Sequence, residues 1–525
     1  MRPPAQTRAH RARRASRPFR LASALLLVTA TLGATLRPTS GPARASGTDH
    51  AKPPAAASAP SVADLREALE AALARPFLDD AQLGLSAIDL ASGQLLYQRN
   101  DTVALNPASN VKLVTTAAAL GILGPAHRYT TGLWRKDGAL LGPTLKGDLY
   151  LQGSGDPALV TADLYEMAAR LRALGIKRIT GGVVVDASAF DRDELPPGFD
   201  QKNELASYRA PSGATVVNFN TFVVHARPGT TVGSPILAGV DPPVSGIALR
   251  TEATTEAGRR RKLLADYDAE GDGITLGLRG TLGVDSGSGQ YRYPVDDPTI
   301  YAGAVLGLML ERNGIKLGRR KPRAGSVPRD ARLVASHRSA PLGVLIRAVN
   351  KFSNNFMAEQ ILKTLDASPG PATFEGALAR VRAHLEALGV PRAGLSLGNG
   401  SGLYDTNRVS PAQLTTLLAA VHRDVRIRPD YMASLSIMGV DGTTRSRLAK
   451  SSRRGWVRVK TGTLNGVSAL SGYAGAPGRP PVAFSILING IRRSETSQAR
   501  TVQNAVAELL ALYAAGEPLV VSDRR

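Results

Sequence analysis

Apolar residues recur along the chain with two different periods. The helical period is found at residues 62–75 and 496–516, and each of these segments predicts a helix. Residues 83–90 and 94–100 flank a Ser-Gly turn, which predicts a strand hairpin. Three further strands are predicted at residues 456–460, 467–475 and 481–489. Strands from both ends of the chain, flanked by the first and last helices, predict one sheet to which both ends contribute.

The middle of the chain contains two regions that differ in composition and in the secondary structure they favour. Residues 126–292 are rich in Gly and Val and favour strands, with one helix at about residues 161–174. Residues 315–334 are basic and are predicted to form loops. Helices are predicted at residues 300–314, 341–351, 354–365, 373–388 and 411–422. We therefore expect a mixed α/β (α+β) fold in which residues 62–125 and 293–525 form one discontinuous domain and residues 126–292 form a β-rich insertion.

The first 45 residues have the order of a secretory signal. Residues 1–20 contain seven arginines, residues 21–36 are apolar, and Ala43 and Ala45 are small residues of the kind that a signal peptidase reads. The apolar run is short for a membrane span, which needs about 20 residues. We expect cleavage, with a retained anchor as the alternative. Residues 46–61 are rich in Ala, Pro and Ser and predict a flexible linker, so the folded part should be exported to the periplasm or cell envelope.

Composition excludes several kinds of chemistry. The chain has no cysteine, and its seven histidines lack the spacing of metal ligands, so thiol catalysis and a zinc site are not predicted. Nine of the 65 basic residues lie in residues 1–45, which contain no acid, so part of the net charge of +22 belongs to the predicted leader. The other basic residues are dispersed and only 5% of the chain is aromatic, which does not indicate a nucleic-acid binder. We interpret them as a solvated surface, with attraction to an anionic envelope polymer as the alternative.

Three short motifs occur once each, in the order Ser-x-x-Lys, Ser-x-Asn and Lys-Thr-Gly. In the first, Ser109 and Lys112 lie one turn apart on a helix predicted at residues 109–123, so the lysine can reach the serine hydroxyl. A serine needs such a base to act as a nucleophile, and free N–H groups at the start of a helix favour a developing oxyanion. The alternative is a helix-capping serine with an exposed lysine.

The second motif lies between two predicted helices. Ser353 and Asn355 present a hydroxyl and an amide two residues apart. Together these groups could relay a proton and hydrogen-bond an amide substrate. The alternative is a helix-capping turn, which Ser and Asn both favour.

The third motif ends the first of the three C-terminal strands. Thr461 and Thr463 supply hydroxyls suited to a carboxylate, and Gly462 leaves room for a substrate backbone. Lys460 supplies a positive charge, which near Lys112 would lower the pKa of that lysine and keep more of it neutral. The alternative is a basic residue that guards an edge strand.

Together the three motifs resemble those of the penicillin-binding proteins, which are serine acyltransferases. More narrowly, residues 62–515 resemble the low-molecular-mass class C type, the D-alanyl-D-alanine carboxypeptidase/endopeptidase family typified by penicillin-binding protein 4. The supporting features are the long insertion between the first two motifs and the segments KFSNNFMAEQIL (351–362), GDLYLQGSGDP (147–157) and NGSGLYDTNRVSP (399–411). Asn399 stands where this family more often has aspartate. The resemblance implies a transpeptidase domain like that of serine β-lactamases, with an antiparallel five-stranded sheet flanked by helices.

The resemblance also implies a role for each motif residue. Ser109 would be the acylated nucleophile, Lys112 its general base, and Ser353 the shuttle of a proton to the leaving amine. The backbone N–H groups of Ser109 and Thr463 would bind the oxyanion. The substrate-binding residues would be Asn355, Lys460, Thr461, Gly462 and Thr463. The enzyme would open the bond between two D-alanines, or a D-alanyl cross-link to a diamino acid, in peptidoglycan peptides. β-Lactam antibiotics would acylate Ser109, and neither a metal nor an organic cofactor is implied.

Several alternatives stay open. A serine β-lactamase is the nearest, although the Glu-x-x-Leu-Asn motif of class A enzymes does not occur in the sequence. A transpeptidase would use the same residues with an amine acceptor in place of water. A non-catalytic peptidoglycan-binding protein would have no need of Ser109, Lys112 and Lys460, and the insertion could instead be a partner-binding module. We expect no nucleic-acid partner and at most peripheral association with a membrane.

Overall fold

The computed structural model describes residues 59–202, 204–270 and 273–521. The predicted leader at residues 1–45 lies outside these ranges, as does the predicted linker apart from residues 59–61. The first helix begins at Val62, where the periodicity predicts it. The Ser61 hydroxyl accepts the N–H of Asp64 at 3.2 Å and the Asp64 carboxylate accepts the N–H of Ser61 at 2.7 Å. This capping box fixes the start of the helix.

The helices predicted from apolar periodicity are present, with ends that differ by a few residues. A further seven-residue helix, α9, is too short for its periodicity to be recognised. The helices of the described residues are α1 (Val62–Leu73), α2 (Val111–Leu123), α3 (Thr161–Ala173), α4 (Pro298–Arg312), α5 (Leu342–Lys351), α6 (Asn355–Thr364), α7 (Phe374–Ala387), α8 (Pro411–Arg423), α9 (Arg428–Ser434) and α10 (Thr496–Ala515).

The strands divide between one large sheet and several smaller ones. Those of the described residues are β1 (Gln82–Asp89), β2 (Leu95–Arg99), β3 (Thr130–Lys136), β4 (Leu140–Leu141), β5 (Thr144–Leu145), β6 (Leu149–Gly153), β7 (Arg178–Ile179), β8 (Val183–Asp186), β9 (Thr221–Arg227), β10 (Leu237–Asp241), β11 (Ile247–Thr251), β12 (Thr254–Glu256), β13 (Arg261–Glu270), β14 (Gly273–Gly283), β15 (Gly289–Pro294), β16 (Lys316–Leu317), β17 (Arg323–Ala324), β18 (Ala331–Arg338), β19 (Ser436–Ile437), β20 (Val457–Leu464), β21 (Val467–Ala474) and β22 (Val482–Asn489).

The large sheet joins the two ends of the chain, as predicted. Its strand order is β19-β20-β21-β22-β1-β2, and every neighbouring pair is antiparallel. Strand β1 pairs with β22 along its whole length, from Gln82 opposite Asn489 to Asp89 opposite Val482. The two N-terminal and three C-terminal strands are the five that the sequence predicts. The sixth, β19, is a two-residue strand at the edge.

Helices cover the large sheet on both faces, because successive strand residues point to opposite sides. On one face, Ala469 and Tyr473 of β21 pack in a cluster with the apolar sides of α2, α5, α6, α7 and α8. On the other, Leu470 and Ala474 of the same strand pack with α1 and α10. Strands β21 and β22 are therefore buried along almost their whole length, and α2 packs among the helices of the first face.

A second core lies in the middle of the chain. It contains buried residues of β3, β6, β8, β9 and β14 together with α3, and it extends to Ala335. Helix α4, which the sequence analysis assigned to the other domain, packs against α3 and β8 in this core. The division at residues 126 and 292 stays a prediction, because clusters of buried side chains do not define where a domain ends.

One local prediction is wrong. Residues 315–334 were expected to form loops, but they include β16, β17 and the first half of β18. Strand β18 pairs with β3, and β17 pairs with β8, so these strands depend on partners more than 130 residues away. Among the helices that the structure describes, none has both the length and the apolar character needed to cross a membrane.

Candidate active site

Ser109 lies where the chain enters the central helix. Residues Ala108–Asn110 form a 3-10 turn that continues directly into α2. The serine side chain caps neither element, and it is partly exposed. Lys112 points back along the helix, and its Nζ lies 3.0 Å from the Oγ of Ser109. The alternative of a capping serine with an exposed lysine does not fit, because Lys112 is completely buried.

Lys112 is held by three oxygen atoms. Besides Ser109 Oγ, its Nζ contacts Asn355 Oδ1 at 2.8 Å and the carbonyl oxygen of Ser401 at 2.6 Å. Burial lowers the pKa of Lys112 to about 7, and the carboxylate of Glu359 opposes part of that shift. At neutral pH a substantial fraction of this amine is therefore uncharged and able to accept a proton.

Ser353 and Asn355 lie in the connection from α5 to α6. Asn354, the residue between them, caps α6, because its side chain accepts the N–H of Met357 at 3.0 Å. Ser353 has a left-handed backbone with φ of 58°, an uncommon conformation for a residue other than glycine. The capping role predicted as the alternative for Ser353 or Asn355 thus belongs to their neighbour. The two motif side chains are left to face the lysines.

Lys460 approaches from β20. Its Nζ lies 2.9 Å from Ser353 Oγ and 2.7 Å from the carbonyl oxygen of Thr461, and the residue is completely buried. It therefore does not guard an edge strand. Burial, with a smaller contribution from the charge of Lys112, holds the pKa of Lys460 well below its usual value. The pKa of Lys112 is lowered, as the sequence analysis expects, but the cause is burial and not the charge of Lys460.

Ser109 and Ser353 line one cleft of about 400 Å³. Hydroxyl, amide and guanidinium groups dominate its lining, and the Oγ1 atoms of Thr443 and Thr461 lie 2.9 Å apart. The residues that line it are Ser109, Ser353, Thr443, Ser446, Arg447, Thr461, Gly462, Thr463, Ser468, Ala469, Arg500 and Gln503. The cleft thus brings together members of all three motifs.

Two arginines make this cleft electropositive. The guanidinium of Arg447 donates to Asn504 Oδ1 at 2.7 Å and to Gln503 Oε1 at 3.2 Å. Burial and the neighbouring charge of Arg500 lower the pKa of Arg447 to about 10. A cation whose charge is disfavoured in this way gains from a nearby anion, so this part of the cleft suits a carboxylate.

Position 462 requires glycine for a reason other than the one that the sequence suggests. A Cβ at this position would lie 2.7 Å from the carbonyl oxygen of Pro107 and 3.1 Å from the Cβ of Ala108. The space beside the glycine is therefore filled by the turn that carries Ser109. Gly462 lets β20 approach that turn closely.

Comparison with known proteins identifies the family. A model of the D-Ala-D-Ala carboxypeptidase 3 (S13) family matches residues 65–513. The chain belongs to this family. A D-alanyl-D-alanine carboxypeptidase of Actinomadura sp. (strain R39) is 34% identical over 477 residues, which are 87% of this chain and 86% of the relative. The D-alanyl-D-alanine carboxypeptidase DacB of Haemophilus influenzae is 25% identical over 442 residues, 81% of this chain and 90% of the relative.

A solved structure supports the same fold. The crystal structure of penicillin binding protein 4 (dacB) from Haemophilus influenzae matches with a TM-score of 0.71 and 24% identity, over 86% of this chain and 99% of that chain. The predicted family and fold class are confirmed, and membership of the S13 family makes the chain a serine-type D-Ala-D-Ala peptidase.

Lys112 has neighbours in the site that the three motifs do not include. The carbonyl of Ser401 and the carboxylate of Glu359 both lie beside Lys112, and neither belongs to the three motifs. Both residues belong to segments that support the family resemblance. The spacing of Glu359, one helical turn after Asn355, places it on the same helix face as that motif residue and could have indicated that it lies near the site. Asn399, the departure from the family pattern, is well satisfied. Its Oδ1 accepts the N–H of Gly402 at 2.8 Å, and its Nδ2 donates to Leu403 O at 3.0 Å.

Proposed function

We propose that this chain hydrolyses the amide bond between two D-alanines, or a D-alanyl cross-link to a diamino acid, through an acyl-enzyme on Ser109. The observation that carries the proposal is the 3.0 Å contact between Ser109 Oγ and a fully buried Lys112 at the mouth of a cleft. A buried amine with a pKa of about 7 is a base poised for use at neutral pH. Family membership supports the same bond as the target.

In the acylation step, neutral Lys112 takes the hydroxyl proton of Ser109 as Oγ attacks the carbonyl carbon of the scissile amide. The negative charge that develops on the carbonyl oxygen is accepted by the backbone N–H groups of Ser109 and Thr463. The C–N bond then breaks. Ser353, which contacts Lys460, passes its hydroxyl proton to the leaving amine, and the proton that Lys112 took from Ser109 then restores the Ser353 hydroxyl, so that Lys112 is neutral again. Water then hydrolyses the ester on Ser109, with Lys112 again serving as the base.

The substrate is held at its charged end. The hydroxyls of Thr461 and Thr463, with Lys460 behind them, receive the terminal carboxylate of the D-alanine. The guanidinium groups of Arg447 and Arg500 add positive potential to the same cleft. Asn355 keeps Lys112 in place through its Oδ1 and presents its Nδ2 toward the Tyr208 carbonyl at 3.3 Å.

The place of action follows from the substrate. Peptidoglycan lies outside the cytoplasm, and residues 1–45 have the order of a secretory signal, so we infer that the protein is exported to the cell envelope. β-Lactams would enter the same cleft and acylate Ser109. A structure of Haemophilus influenzae penicillin binding protein 4 in complex with a β-lactam illustrates such binding in that protein.

Mass spectrometry of a penicillin adduct tests the proposal directly. The purified protein is incubated with a fluorescent penicillin and digested, and the labelled peptide is sequenced. We expect one adduct, on Ser109, and complete loss of label in Ser109→Ala. Ser446→Ala, which removes another hydroxyl from the same cleft, should still be labelled on Ser109. A label elsewhere, or undiminished labelling of Ser109→Ala, would refute the assignment.

Product analysis separates this function from its rivals. A D-alanyl-D-alanine peptide should release D-alanine, and a cross-linked dimer should be opened to monomers. Rapid multiple turnover of the penicillin would instead favour a β-lactamase. Products joined to an added amine acceptor, in place of hydrolysis products, would favour a transpeptidase.

A further inference from the structure

A buried carboxylate lies beside the base without touching it. Glu359 is in α6, four residues after Asn355, so both side chains project from one face of the helix. It is 2% exposed. Its Oε2 accepts the N–H of Gly400 at 2.9 Å and its Oε1 accepts the N–H of Ser401 at 2.7 Å. Burial raises the pKa of the Glu359 carboxyl, while the hydrogen bonds from these two adjacent backbone groups and the charge of Lys112 oppose that shift and favour the ionised form.

The segment bound by Glu359 is the one that meets Lys112. The Thr115 hydroxyl donates to the Gly400 carbonyl at 2.7 Å, and Lys112 Nζ contacts the Ser401 carbonyl at 2.6 Å. Gly402 is in the left-handed region with φ of 75°, and a Cβ there would overlap the carbonyl oxygen of Ala108. Residues 399–402, which we call the base loop, are therefore packed against both the nucleophile turn and the base. Glu359 ties this loop to α6.

The hydrogen-bond acceptors around Lys112 determine where the lone pair of its neutral amine points. A neutral amine has two N–H bonds and one lone pair. Of the three oxygens around Lys112 Nζ, the Ser401 carbonyl and Asn355 Oδ1 can only accept hydrogen bonds, whereas Ser109 Oγ can donate one. The two N–H bonds must therefore point to the two acceptors. The lone pair is left facing the Ser109 hydroxyl, as acylation requires.

We propose that Glu359 is a positioning residue for the general base: its carboxylate fixes the Ser401 carbonyl against Lys112 and so directs the lone pair of the amine at Ser109. Its negative charge has a second effect. Burial disfavours protonation of Lys112, and Glu359 opposes burial by raising the pKa of this lysine. This inference rests on the function proposed above.

Substitution of the carboxylate tests both effects. Glu359→Gln offers one acceptor oxygen in place of two, so one of the two backbone N–H groups loses its partner and the Ser401 carbonyl moves. We expect the rate of acylation by penicillin, and kcat for a D-Ala-D-Ala peptide, to fall about 10²-fold, with KM little changed. Because a negative charge is also lost, the acidic limb of the pH–rate profile should shift to lower pH.

Two further variants sharpen the test. Glu359→Asp keeps the charge but is one methylene shorter, so the acidic limb should return toward its wild-type position while the rate stays reduced. Asp366→Asn is a matched control near the end of the same helix. Its carboxylate also accepts two backbone N–H groups, those of Ser368 and Thr373, each at 2.8 Å. It should leave both the rate and the position of the limb as in wild type.

Each possible outcome supports or contradicts the inference about Glu359. A folded Glu359→Gln protein with the wild-type rate, or a reduced rate with an unshifted limb, would overturn the inference. So would failure of both Glu359 variants to fold while Asp366→Asn folds, because the carboxylate would then serve the fold alone. Absence of penicillin label on Ser109 in the wild-type protein would instead overturn the proposed function and this inference with it.

Discussion

The candidate active-site cleft and the β-rich region at residues 126–292 carry their positive charges in opposite ways. Lys112 and Lys460 are completely buried and held by oxygens of the protein. In the β-rich region, the four consecutive cations from Arg259 to Lys262 are all exposed. Water solvates an exposed ammonium whatever its neighbours are, whereas a buried one takes its protonation state from the groups packed around it. The protonation state of the two buried lysines therefore depends on packing in the cleft. The four cations of the β-rich region are solvated surface charges.

Replacing a lysine in each region should give the largest difference. Lys112→Ala removes the group that we propose as the base for Ser109, and we expect kcat/KM for a D-Ala-D-Ala peptide to fall roughly 10²- to 10⁴-fold. Lys262→Ala removes a solvated charge and should leave kcat/KM as in wild type. Steady-state kinetics on both variants, with circular dichroism to verify folding, measure the difference. A Lys112→Ala protein within a few-fold of wild type would show that another group is the base.

Glycines in the two regions offer a second test. In Gly402→Ala the new methyl group meets the Ala108 carbonyl, so the nucleophile turn must move. A displacement of about 1 Å at the reacting atoms can cost about 10²-fold in rate. Gly258 in the β-rich region also has a positive φ, of 83°, but its missing Cβ would meet nothing within 4 Å.

The control Gly258→Ala should therefore cost only backbone strain, about 1–2 kcal/mol of stability, with no loss of kcat/KM. Thermal unfolding and kinetics are measured on both variants. If Gly402→Ala and Gly258→Ala lose the same small amount of stability and neither loses activity, the packing of the base loop against Ala108 does not matter for catalysis.

The two regions also differ in how far the sequence predicts them. Strands β1 and β22 of the large sheet are eight residues long and mostly apolar, and such a run is recognisable from the local sequence, so both could be predicted. Strands β16 and β17 have two residues each and form only because β7 and β8 lie beside them. A local pattern carries no information about such partners, so the sequence alone predicts loops for residues 315–334.

The candidate site divides in the same way. Ser109, Lys112, Ser353 and Lys460 could be proposed because their side chains have recognisable chemistry at fixed spacing. The carbonyl of Ser401 could not, since every residue has a carbonyl and this one meets Lys112 across 289 positions of sequence. For Glu359 the spacing of one helical turn from Asn355 is the only signal in the sequence, and it is weak because an isolated glutamate in a helix is usually solvated. Its burial becomes evident only once α6 is packed against α2.

The pH dependence of the wild-type enzyme should show the smallest of these effects. It tests whether a buried cation, unlike an exposed one, controls the rate through its protonation state. Burial lowers the pKa of Lys112 to about 7, so the amine is protonated below that pH and cannot accept the proton of Ser109. We expect kcat/KM to fall about tenfold for each pH unit below about 7 and to level off above it. The thermal midpoint, measured over the same pH range, shows whether unfolding contributes to the loss. A profile that is flat through neutrality would mean that the protonation state of Lys112 does not limit acylation, and the distinction between buried and exposed cations would lose its functional meaning.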